Sequence, residues 1–480
     1  MATTTAAPAL ERPLCVDLDG TLVKSDTLVD SLLLLVRTRP LDALKTPLWA
    51  LRGKANLKRE VTARVTLNVE HLPYNRPLLE YLMAQRGEGR KLYLATGADA
   101  GLADRIARHL NIFEGVLSSD GTTNLTGSNK LAGFRSRFAG DFDYIGNARP
   151  DLPLLAAAAV PMLANPNLGL RIAMRARGLK PQGTFLDRRS GLRAFIKAIR
   201  VHQWAKNTLI FLPLLLAHRV DAATLLAALI AFVCFSLCAS ATYIVNDLLD
   251  IEADRLHPRK RKRAFAAGDL SAAAGMAISA VFLAASFTGA VLLLPNGFLR
   301  WLILYLVTTL AYSLALKRIV ILDVVVLSTL YTLRMLAGAA ATTTYISPWL
   351  AAFAVFIFLS LAMVKRFSEL QNVRSAGTQL SNGRGYLLND IEQIRSFGTS
   401  SAFASVVIFS VYIGQPETHG LYHHHERMWL MTPLMILWLC RVWLLASRGE
   451  LDEDPVVFAL TDPMSVLMGV GAVVIALASI

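Results

Sequence analysis

The chain is poor in charged residues for its size. Asp, Glu, Lys and Arg account for 18% of its 480 residues, whereas hydrophobic residues account for 54%. Soluble domains carry about 25% charged residues, so this composition excludes an ordinary soluble enzyme and indicates a membrane protein. Cysteine is also scarce. The four cysteines have neither disulfide nor metal-ligand spacing, which excludes a disulfide-stapled scaffold and predicts a packing role for them.

Apolar segments of membrane-spanning length are confined to the second part of the chain. Roughly 20 residues cross a bilayer as a helix, and nine segments have this length, at approximately 195–217, 222–246, 270–294, 298–316, 320–341, 347–364, 397–414, 428–446 and 463–480. Loops on one side carry most of the Lys and Arg, including Arg255 to Arg263, whereas the opposite loops carry only Arg219, Arg300 and Arg427. The positive-inside rule then predicts a multi-pass inner-membrane protein whose N-terminal part faces the cytoplasm, without a cleavable signal.

The first 190 residues alternate predicted strands with helices. Apolar strands end at Asp17 and Asp19, at Thr96 and at Asn147. Because the carboxyl ends of parallel strands meet at one crevice, these side chains are expected to lie together in an α/β Rossmann-like domain. A helical insert at about 26–88 is expected to form a cap over this crevice. Its apolar run from Leu32 to Val36 is too short to cross a bilayer and is expected to pack in the cap, with contact to the membrane surface as the alternative.

The stretch Asp17 to Thr21, with the sequence DLDGT, resembles motif I of the haloacid dehalogenase (HAD) phosphatase superfamily. The resemblance covers about residues 12–175. It implies that Asp17 is the nucleophile that forms an aspartyl phosphate, and that Asp19 is the general acid and base. It also implies that both carboxylates bind a Mg²⁺ ion, which offsets their charge and that of the phosphate.

Further positions match the later HAD motifs, and one departs from the usual pattern. Thr96 matches motif II and would hold a phosphoryl oxygen, and Lys130 matches motif III and would neutralise the phosphoryl group. In motif IV, Asn147 stands where an aspartate is usual, and Asp151 follows four residues later. The amide oxygen of Asn147 and the carboxylate of Asp151 are expected to complete the Mg²⁺ site. The alternative is a catalytically inactive domain that docks or regulates.

A run of acids closes the second predicted span. Asn246, Asp247, Asp250 and Asp254 are spaced so that their side chains gather on one face of a helix. Such a face repels itself unless a cation is bound, and hard oxygen ligands with open positions suit Mg²⁺ together with a diphosphate. The alternative is a solvated helix end that is followed by ordinary interfacial arginines.

The membrane part resembles the UbiA superfamily of intramembrane prenyltransferases over about residues 191–480. The stretch Asn246 to Asp254 matches the first aspartate motif of that superfamily. The second motif of the aromatic prenyltransferases, D-x-x-x-D, is missing, because Asp323 is followed by leucine at position 327. This departure is similar to the decaprenyl-phosphate phosphoribosyltransferase branch. Three further segments match the same branch, at 201–207, 365–369 and 454–455.

This resemblance implies that phosphoribosyl diphosphate and a polyprenyl phosphate are the substrates. Mg²⁺ on the acidic run would neutralise the diphosphate, and the lipid phosphate would attack the anomeric carbon. The residues implied to bind the substrates are Lys206, Asn207, Arg255, Arg259, Tyr312, Lys317, Asp323, Lys365 and Arg366. Simple interfacial anchoring is the alternative for the cations in this set and for Tyr312.

Together the two resemblances predict a bifunctional membrane enzyme. Residues 1–175 would form the HAD-like phosphatase domain, 176–190 a linker, and 191–480 an all-α, polytopic, UbiA-like membrane domain. The phosphatase would remove the 5-phosphate of the lipid product to give polyprenylphosphoryl-ribose. Two alternatives stay open: a prenyltransferase that uses a polyprenyl diphosphate and an aromatic acceptor, and a non-catalytic lipid-phosphate scaffold. Neither a nucleic-acid partner nor a metal role for His423 to His425 is expected.

Overall fold

The computed structural model describes residues 11–119, 125–138, 140–189, 191–375, 384–451 and 455–480. Its contacts divide the chain into two compact units. Unit 1 comprises Met1–Ile199 and Tyr243–Ser279, and unit 2 comprises Arg200–Thr242 and Ala280–Ile480. This grouping differs from the predicted division near residue 190, because the segment with the acidic run packs with the N-terminal residues.

Unit 1 contains a six-stranded parallel sheet in the order β3-β2-β1-β4-β5-β6. The strands are β1 Leu14–Val16, β2 Leu92–Asp99, β3 Gly115–Ser119, β4 Asp143–Gly146, β5 Pro161–Ala164 and β6 Gly183–Phe185. Leu14 pairs with Leu92 on one side and with Asp143 on the other, so β1 lies inside the sheet. The chain continues from β1 to β2 on one side and later enters β4 on the other. This reversal places a crevice at the carboxyl ends of β1 and β4, and the predicted α/β architecture is confirmed.

The described α-helices up to residue 199 belong to unit 1. They are α1 Thr27–Thr38, α2 Pro40–Ala43, α3 Thr46–Leu51, α4 Lys54–Thr62, α5 Arg76–Gly87, α6 Ala100–Leu110, α7 Ser128–Arg137, α8 Leu152–Ala157, α9 Leu168–Ala176 and α10 Gly191–Ile199. Leu35 is buried in the cap against Trp49 and Val61, and Leu32 and Leu34 pack beside it, so this part of the apolar run packs in the cap as expected, whereas Val36 is exposed. Leu78 and Leu82 of α5 instead join the core of the sheet, so the cap ends earlier than the predicted residue 88.

The predicted linker at 176–190 contributes a strand of its own. β6 pairs in parallel with β5, with Leu163 opposite Thr184. A strand of three residues is too short to show the alternating pattern by which strands are recognised. The sheet therefore extends to Phe185, beyond the predicted domain boundary at 175.

The later helices include seven segments that are long and apolar enough to cross a membrane, within the residues that the structure describes. The helices are α11 Leu212–Leu216, α12 Ala222–Leu249, α13 Ile251–Leu256, α14 Ala272–Leu293, α15 Asn296–Leu314, α16 Leu322–Ala341, α17 Pro348–Ser375, α18 Ile391–Ile413, α19 Pro416–Leu421, α20 Met431–Ser447, α21 Pro455–Thr461 and α22 Pro463–Ser479. The membrane-spanning candidates are α12, α14 to α17, and α18 and α20 with the 3-10 turns before them.

The predicted count of nine spans is not confirmed. The segment predicted at 195–217 is broken into α10, a 3-10 helix at Val201–Phe211 and α11. The break coincides with Arg200, whose φ of 51° is left-handed and cannot continue a right-handed helix. The last predicted span is α22, which has 17 residues and is shorter than the roughly 20 that a bilayer requires.

Gly338 of α16 packs directly against the backbone of the 3-10 helix Val201–Phe211. A Cβ atom at this position would lie 2.1 Å from the carbonyl oxygen of Ile210. Because backbone cannot turn aside as a flexible side chain can, Gly338→Ala is expected to lower the free energy of unfolding by about 1–3 kcal/mol. Thermal unfolding of the detergent-solubilised protein checks this. Gly469→Ala, whose Cβ would meet no atom within 4 Å, is the matched control, and equal midpoints for the two variants would contradict the close packing.

Candidate active sites

Asp17 and Lys130 form a buried ion pair at the carboxyl end of β1. The backbone N–H of Asp17 donates to the carbonyl of Ile145 in β4, at 3.0 Å, which fixes Asp17 beside the crevice. Lys130, in the first turn of α7, donates from Nζ to Asp17 Oδ1 at 2.7 Å. Asp17 is 8% exposed and Lys130 is 3% exposed. The structure therefore brings together two residues that are 113 positions apart in the chain.

Asp151 holds Lys130 and the loop after β4 in place. Its Oδ2 accepts hydrogen bonds from the backbone N–H groups of Asn147 and Ala148, both at 3.0 Å. Its Oδ1 accepts a hydrogen bond from the Tyr144 hydroxyl at 2.8 Å and lies 4.0 Å from Lys130 Nζ. Because both carboxylate oxygens are engaged, this geometry favours a positioning role for Asp151 over the metal ligation expected from the sequence. Tyr144, which the sequence reasoning missed, also accepts a hydrogen bond from Lys130 at 3.2 Å.

Asn147 packs against the turn that follows β1. Gly20 has a φ of +76°, and a Cβ atom there would lie 2.0 Å from Asn147 Nδ2, so the turn needs glycine both for its conformation and for space. The carboxylates of Asp17 and Asp19 and the amide oxygen of Asn147 are hard ligands of the kind that Mg²⁺ takes. Across the described ranges, no group of three or more His, Cys, Asp or Glu side chains is placed to hold a metal ion. A cation at this crevice would therefore need the amide oxygen as well as the carboxylates.

The two carboxyl groups after β1 have pKa values near neutral pH. Burial raises the pKa of Asp17 to about 6, although the charge of Lys130 opposes this shift. Burial also raises the pKa of Asp19 to about 7, and the charge of Asp26 adds to the effect, whereas the hydrogen bond from Thr27 N opposes it. For Lys130, burial alone lowers the pKa, but the carboxylates of Asp17 and its neighbours outweigh it and the net shift is upward. Lys130 therefore keeps its positive charge.

Thr96 and Lys58 are two further polar groups close to the carboxyl end of β2. Thr96 is fully buried, and its Oγ1 accepts a hydrogen bond from Ala98 N at 3.0 Å, so the hydroxyl hydrogen is directed elsewhere. Lys58 of the cap helix α4 donates from Nζ to the carbonyl of Gly97. Burial lowers the pKa of Lys58, and the charge of Asp19 opposes this. Nothing in the sequence distinguishes Lys58 from its basic neighbours, so only the fold reveals that the cap supplies a cation near the carboxylate of Asp19.

The acidic run extends from the last turn of α12, which carries Asn246 and Asp247, into α13, and lies within unit 1. Arg263 donates from Nη1 to Asp247 Oδ1 at 3.0 Å and to Asp254 Oδ2 at 2.7 Å. Arg37, in the last turn of the cap helix α1, pairs with Asp250 Oδ1 at 2.9 Å. Burial raises the pKa of Asp254, although Arg263 opposes the shift. The expected self-repulsion of the acids is thus offset here by two arginines, which supply the positive charge that a divalent cation would otherwise provide.

Two further contacts join this segment to the cap. Arg255 pairs with Asp30 Oδ2 at 2.8 Å, and both side chains are almost completely buried, at 2% and 1% exposed. Arg255 also donates to Ser25 Oγ at 3.1 Å. The backbone N–H of Asn68 donates to Glu252 Oε1 at 2.6 Å, and burial raises the pKa of Glu252 despite this bond. The structure therefore engages Arg255 with Asp30, and its substrate-binding role stays a prediction.

The Asp30–Arg255 pair is expected to contribute strongly to stability. Asp30→Leu or Arg255→Met alone would leave the buried partner without its opposite charge, and breaking such a pair costs about 3–5 kcal/mol. Removing both charges in Asp30→Leu/Arg255→Met is expected to restore most of the loss, because neither group then remains unpaired. Thermal unfolding of the four proteins gives the double-mutant cycle. An additive double variant would show that the two residues do not interact.

In unit 2, Asp323 and Arg366 form an ion pair that is fully buried. Arg366 Nε lies 2.7 Å from Asp323 Oδ2, and both side chains are 0% exposed. Tyr386 donates its hydroxyl hydrogen to Asp323 Oδ1, and Arg366 Nη1 also pairs with Glu369. Tyr312 lies within electrostatic range of Asp323, Arg366 and Glu369. Three residues predicted to bind substrate, Tyr312, Asp323 and Arg366, are therefore neighbours, whereas the contribution of Tyr386 was missed.

Lys206 and Asn207 lie beside an arginine that the sequence reasoning missed. Arg334, within the span α16, donates from Nε to Asn207 Oδ1 at 2.9 Å, while Asn207 Nδ2 donates to Ser236 Oγ at 2.9 Å. Lys206 Nζ and the Arg334 guanidinium lie 5.7 and 5.5 Å from the centre of the Tyr331 ring. Because the amide of Asn207 is engaged on both sides, its position favours holding Arg334 over direct contact with substrate. A single arginine inside a predicted span is the signal that would have found this group.

The other predicted residues occupy loops and helix ends. Lys317 is half-buried in the 3-10 turn Leu316–Arg318, Lys365 is half-buried on α17, and Arg259 is exposed. Asp454, part of the segment matched at 454–455, lies outside the described residues. Of the four cysteines, Cys15, Cys234 and Cys238 are buried as expected for packing, whereas Cys440 is exposed.

Comparisons with known proteins add to this geometry. The sequence pattern of the UbiA prenyltransferase family matches residues 208–464. An uncharacterized protein of Sinorhizobium fredii, y4nM, is 38% identical over 95% of this chain and 89% of its own length. A decaprenyl-phosphate phosphoribosyltransferase of Mycobacterium tuberculosis is 38% identical over 190 residues, which are 38% of this chain and 63% of that protein. The chain thus spans less than two thirds of the length of that relative.

A similarity to a solved structure was also found. A UbiA homolog from Archaeoglobus fulgidus, solved with GPP and Mg²⁺, covers 60% of this chain and 99% of its own, at 15% identity and a TM-score of 0.46.

Proposed function

Because the chain belongs to the UbiA prenyltransferase family and is a multi-pass membrane transferase, we propose that it transfers 5-phosphoribose from phosphoribosyl diphosphate to a polyprenyl phosphate. The observation that carries this proposal is the buried pair of Asp323 and Arg366. A second aspartate motif would present two carboxylates, whereas here a single carboxylate is neutralised by an arginine and position 327 is leucine. The phosphoribosyltransferase of M. tuberculosis, among the relatives, supports the same substrates.

The acidic run would hold the diphosphate of the donor. Asn246, Asp247, Asp250 and Asp254 carry hard oxygen ligands of the kind that Mg²⁺ takes. A bound Mg²⁺ would take the place of Arg37 and Arg263, which pair with the three carboxylates in the structure. Bound Mg²⁺ supplies charge neutralisation of the leaving diphosphate. An oxygen of the lipid phosphate forms a bond to the anomeric carbon of ribose while the bond from that carbon to diphosphate breaks. Lys206, Lys317, Lys365 and Arg366 are proposed to orient the phosphates for this displacement.

The N-terminal crevice is proposed to act as a HAD-type phosphatase on the lipid product. An oxygen of Asp17 would attack the 5-phosphate, and Asp19 would give its proton to the leaving ribose oxygen and later take one from the attacking water. Lys130, held by Asp151 and Tyr144, would neutralise the phosphoryl oxygens. The Thr96 hydroxyl would donate to one of these oxygens. The products are polyprenylphosphoryl-ribose and inorganic phosphate.

The carboxylates Asp17 and Asp19 and the amide of Asn147 would hold the Mg²⁺ of this second step. With Asp151 engaged by Tyr144 and backbone N–H groups, the site has one carboxylate fewer than the sequence predicts. We propose that both reactions take place on the cytoplasmic side of the inner membrane, where the positive loops lie.

A double-label assay of the purified full chain tests this function. The donor carries one label in the ribose carbons and a second in the 5-phosphate, and polyprenyl phosphate and Mg²⁺ are added. The proposal expects the ribose label in the lipid extract and the phosphate label in free phosphate. A lipid without ribose label would refute the transfer. Formation of a prenylated product from a polyprenyl diphosphate and an aromatic acid, in a parallel reaction, would instead support the aromatic prenyltransferase.

A further inference from the structure

Four leucines form an exposed apolar face on the cap. Leu41 lies on α2, Leu44 directly follows α2, and Leu48 and Leu51 lie on α3. In this order they are 79%, 76%, 61% and 84% exposed. Their spacing of three, four and three residues is that of one side of a helix. Trp49, on the other side, is 7% exposed and packs in the cap core. The leucine face is thus the outward side of the α2–α3 segment, and Trp49 on the opposite side holds this segment against the cap core.

The leucine face is bordered by positive charge. Residues 36–54 contain five basic side chains and one acidic side chain, Arg37, Arg39, Asp42, Lys45, Arg52 and Lys54. The single acid, Asp42, is already paired with Lys45 at 3.0 Å and lies 3.9 Å from Arg39. An exposed apolar stripe with a basic border is the arrangement by which amphipathic helices lie in the interface of an anionic bilayer.

The start of this face lies close to the end of a membrane span. Arg37 pairs with Asp250 at 2.9 Å and donates to the carbonyl of Leu249, the last residue of α12, at 3.3 Å. The helix α2 begins at Pro40, three residues after Arg37. Within unit 1, the leucine face therefore starts about one helical turn of chain away from the point where the span α12 ends.

We propose that the leucine face docks on the surface of the anionic bilayer that the chain itself crosses. The four leucines enter the boundary between headgroups and acyl chains, and the basic border contacts the lipid phosphates. The charge of the border and the contact with the end of α12 favour a bilayer over a second copy of the chain, whose surface would need a complementary acidic patch. This proposal does not depend on the phosphoribosyl transfer or on the phosphatase.

Fluorescence quenching in lipid nanodiscs tests the proposal on the full chain. A label is attached at Leu48→Cys, and separately at Leu41→Cys, in a Cys440→Ser background, since the other three cysteines are buried. The discs contain phosphatidylglycerol and lipids that carry a nitroxide on the acyl chain. The matched control is a label at Leu168→Cys on α9, which is similarly exposed at 71%.

The expected result is quenching by the nitroxide lipid that is at least about threefold stronger at positions 41 and 48 than at 168. Quenching by aqueous iodide is expected to be stronger at 168 than at 41 and 48. Replacing phosphatidylglycerol by phosphatidylcholine is expected to weaken the lipid quenching, because the basic border then loses its partner. Equal iodide quenching at all three positions would overturn the proposal. The proposal would also be overturned if two Leu48→Cys chains formed a disulfide in detergent and the lipid quenching were absent. That result would assign the leucine face to contact with a second copy of the chain.

Discussion

Asp17→Asn is expected to leave the 5-phosphate on the ribosylated lipid. The amide of asparagine is not a nucleophile, so no aspartyl phosphate forms, and loss of a covalent nucleophile lowers turnover by about 10⁴-fold or more. Asparagine keeps the size of Asp17 and an oxygen that accepts the hydrogen bond of Lys130, which lies 2.7 Å away in the wild type. The double-label assay should then show both labels in the lipid, in a ratio equal to that of the donor.

The matched control for this variant is Asp104→Asn, an exposed position on α6 of the same unit. It is expected to release phosphate at the wild-type rate. Transfer of the ribose label by Asp17→Asn reports that the variant is folded and inserted. If Asp17→Asn still released the phosphate label at the rate of Asp104→Asn, the phosphatase reaction would have to take place at a site other than Asp17.

Asp250→Ala is expected to abolish ribose transfer while the N-terminal crevice continues to hydrolyse a small phosphate ester. Loss of an outer-shell partner of a metal costs 10- to 100-fold, so loss of a direct ligand is expected to lower transfer by more than about 100-fold. The measurement is the ribose label in the lipid at saturating Mg²⁺, together with phosphate release from a soluble ester.

Asp250 also pairs with Arg37, so the variant removes an ion pair as well as a ligand. Arg37→Ala separates the two effects, because it removes the same pair and keeps the carboxylate. The pair is partly exposed, at 24% and 18%, and such pairs contribute at most about 1 kcal/mol. Arg37→Ala is therefore expected to keep transfer within about tenfold of the wild type. An equal loss in both variants would assign the effect to the ion pair and would count against Asp250 as a ligand.

Local patterns were sufficient to predict three of the six strands, β1, β2 and β4, and most of the spans. The apolar residues of β1, followed directly by Asp17 and Asp19, indicated a strand that ends at a crevice, and the structure places Lys130 there. The boundaries of α12 were predicted to within three residues, because hydropathy alone determines a span. The broken helix at 195–217 was missed, because its composition is apolar throughout and the left-handed Arg200 leaves no compositional signal.

The ion-pair partners of the acidic residues could not be predicted from sequence patterns. Arg37 with Asp250, and Asp30 with Arg255, join residues that are distant in the chain, and any of the 49 basic residues was an equal candidate. Burial of a charge depends on packing from several elements at once, so it emerges only from the fold. The acids themselves were predictable because helical spacing gathers them on one face.

The buried pair of Asp30 and Arg255 has a consequence for the biogenesis of the protein. The cap is synthesised first, yet the guanidinium that neutralises Asp30 lies more than 200 residues later, beyond the span α12. The ribosome adds about 5–20 residues per second, so the nascent cap spends ten seconds or more with a carboxyl group that has no cationic partner. Insertion of α12 therefore precedes completion of the cap. The N-terminal residues therefore do not form an independent domain. A chain that ends at Ile199 would keep its sheet but would lose Arg255, the partner of Asp30 in the cap.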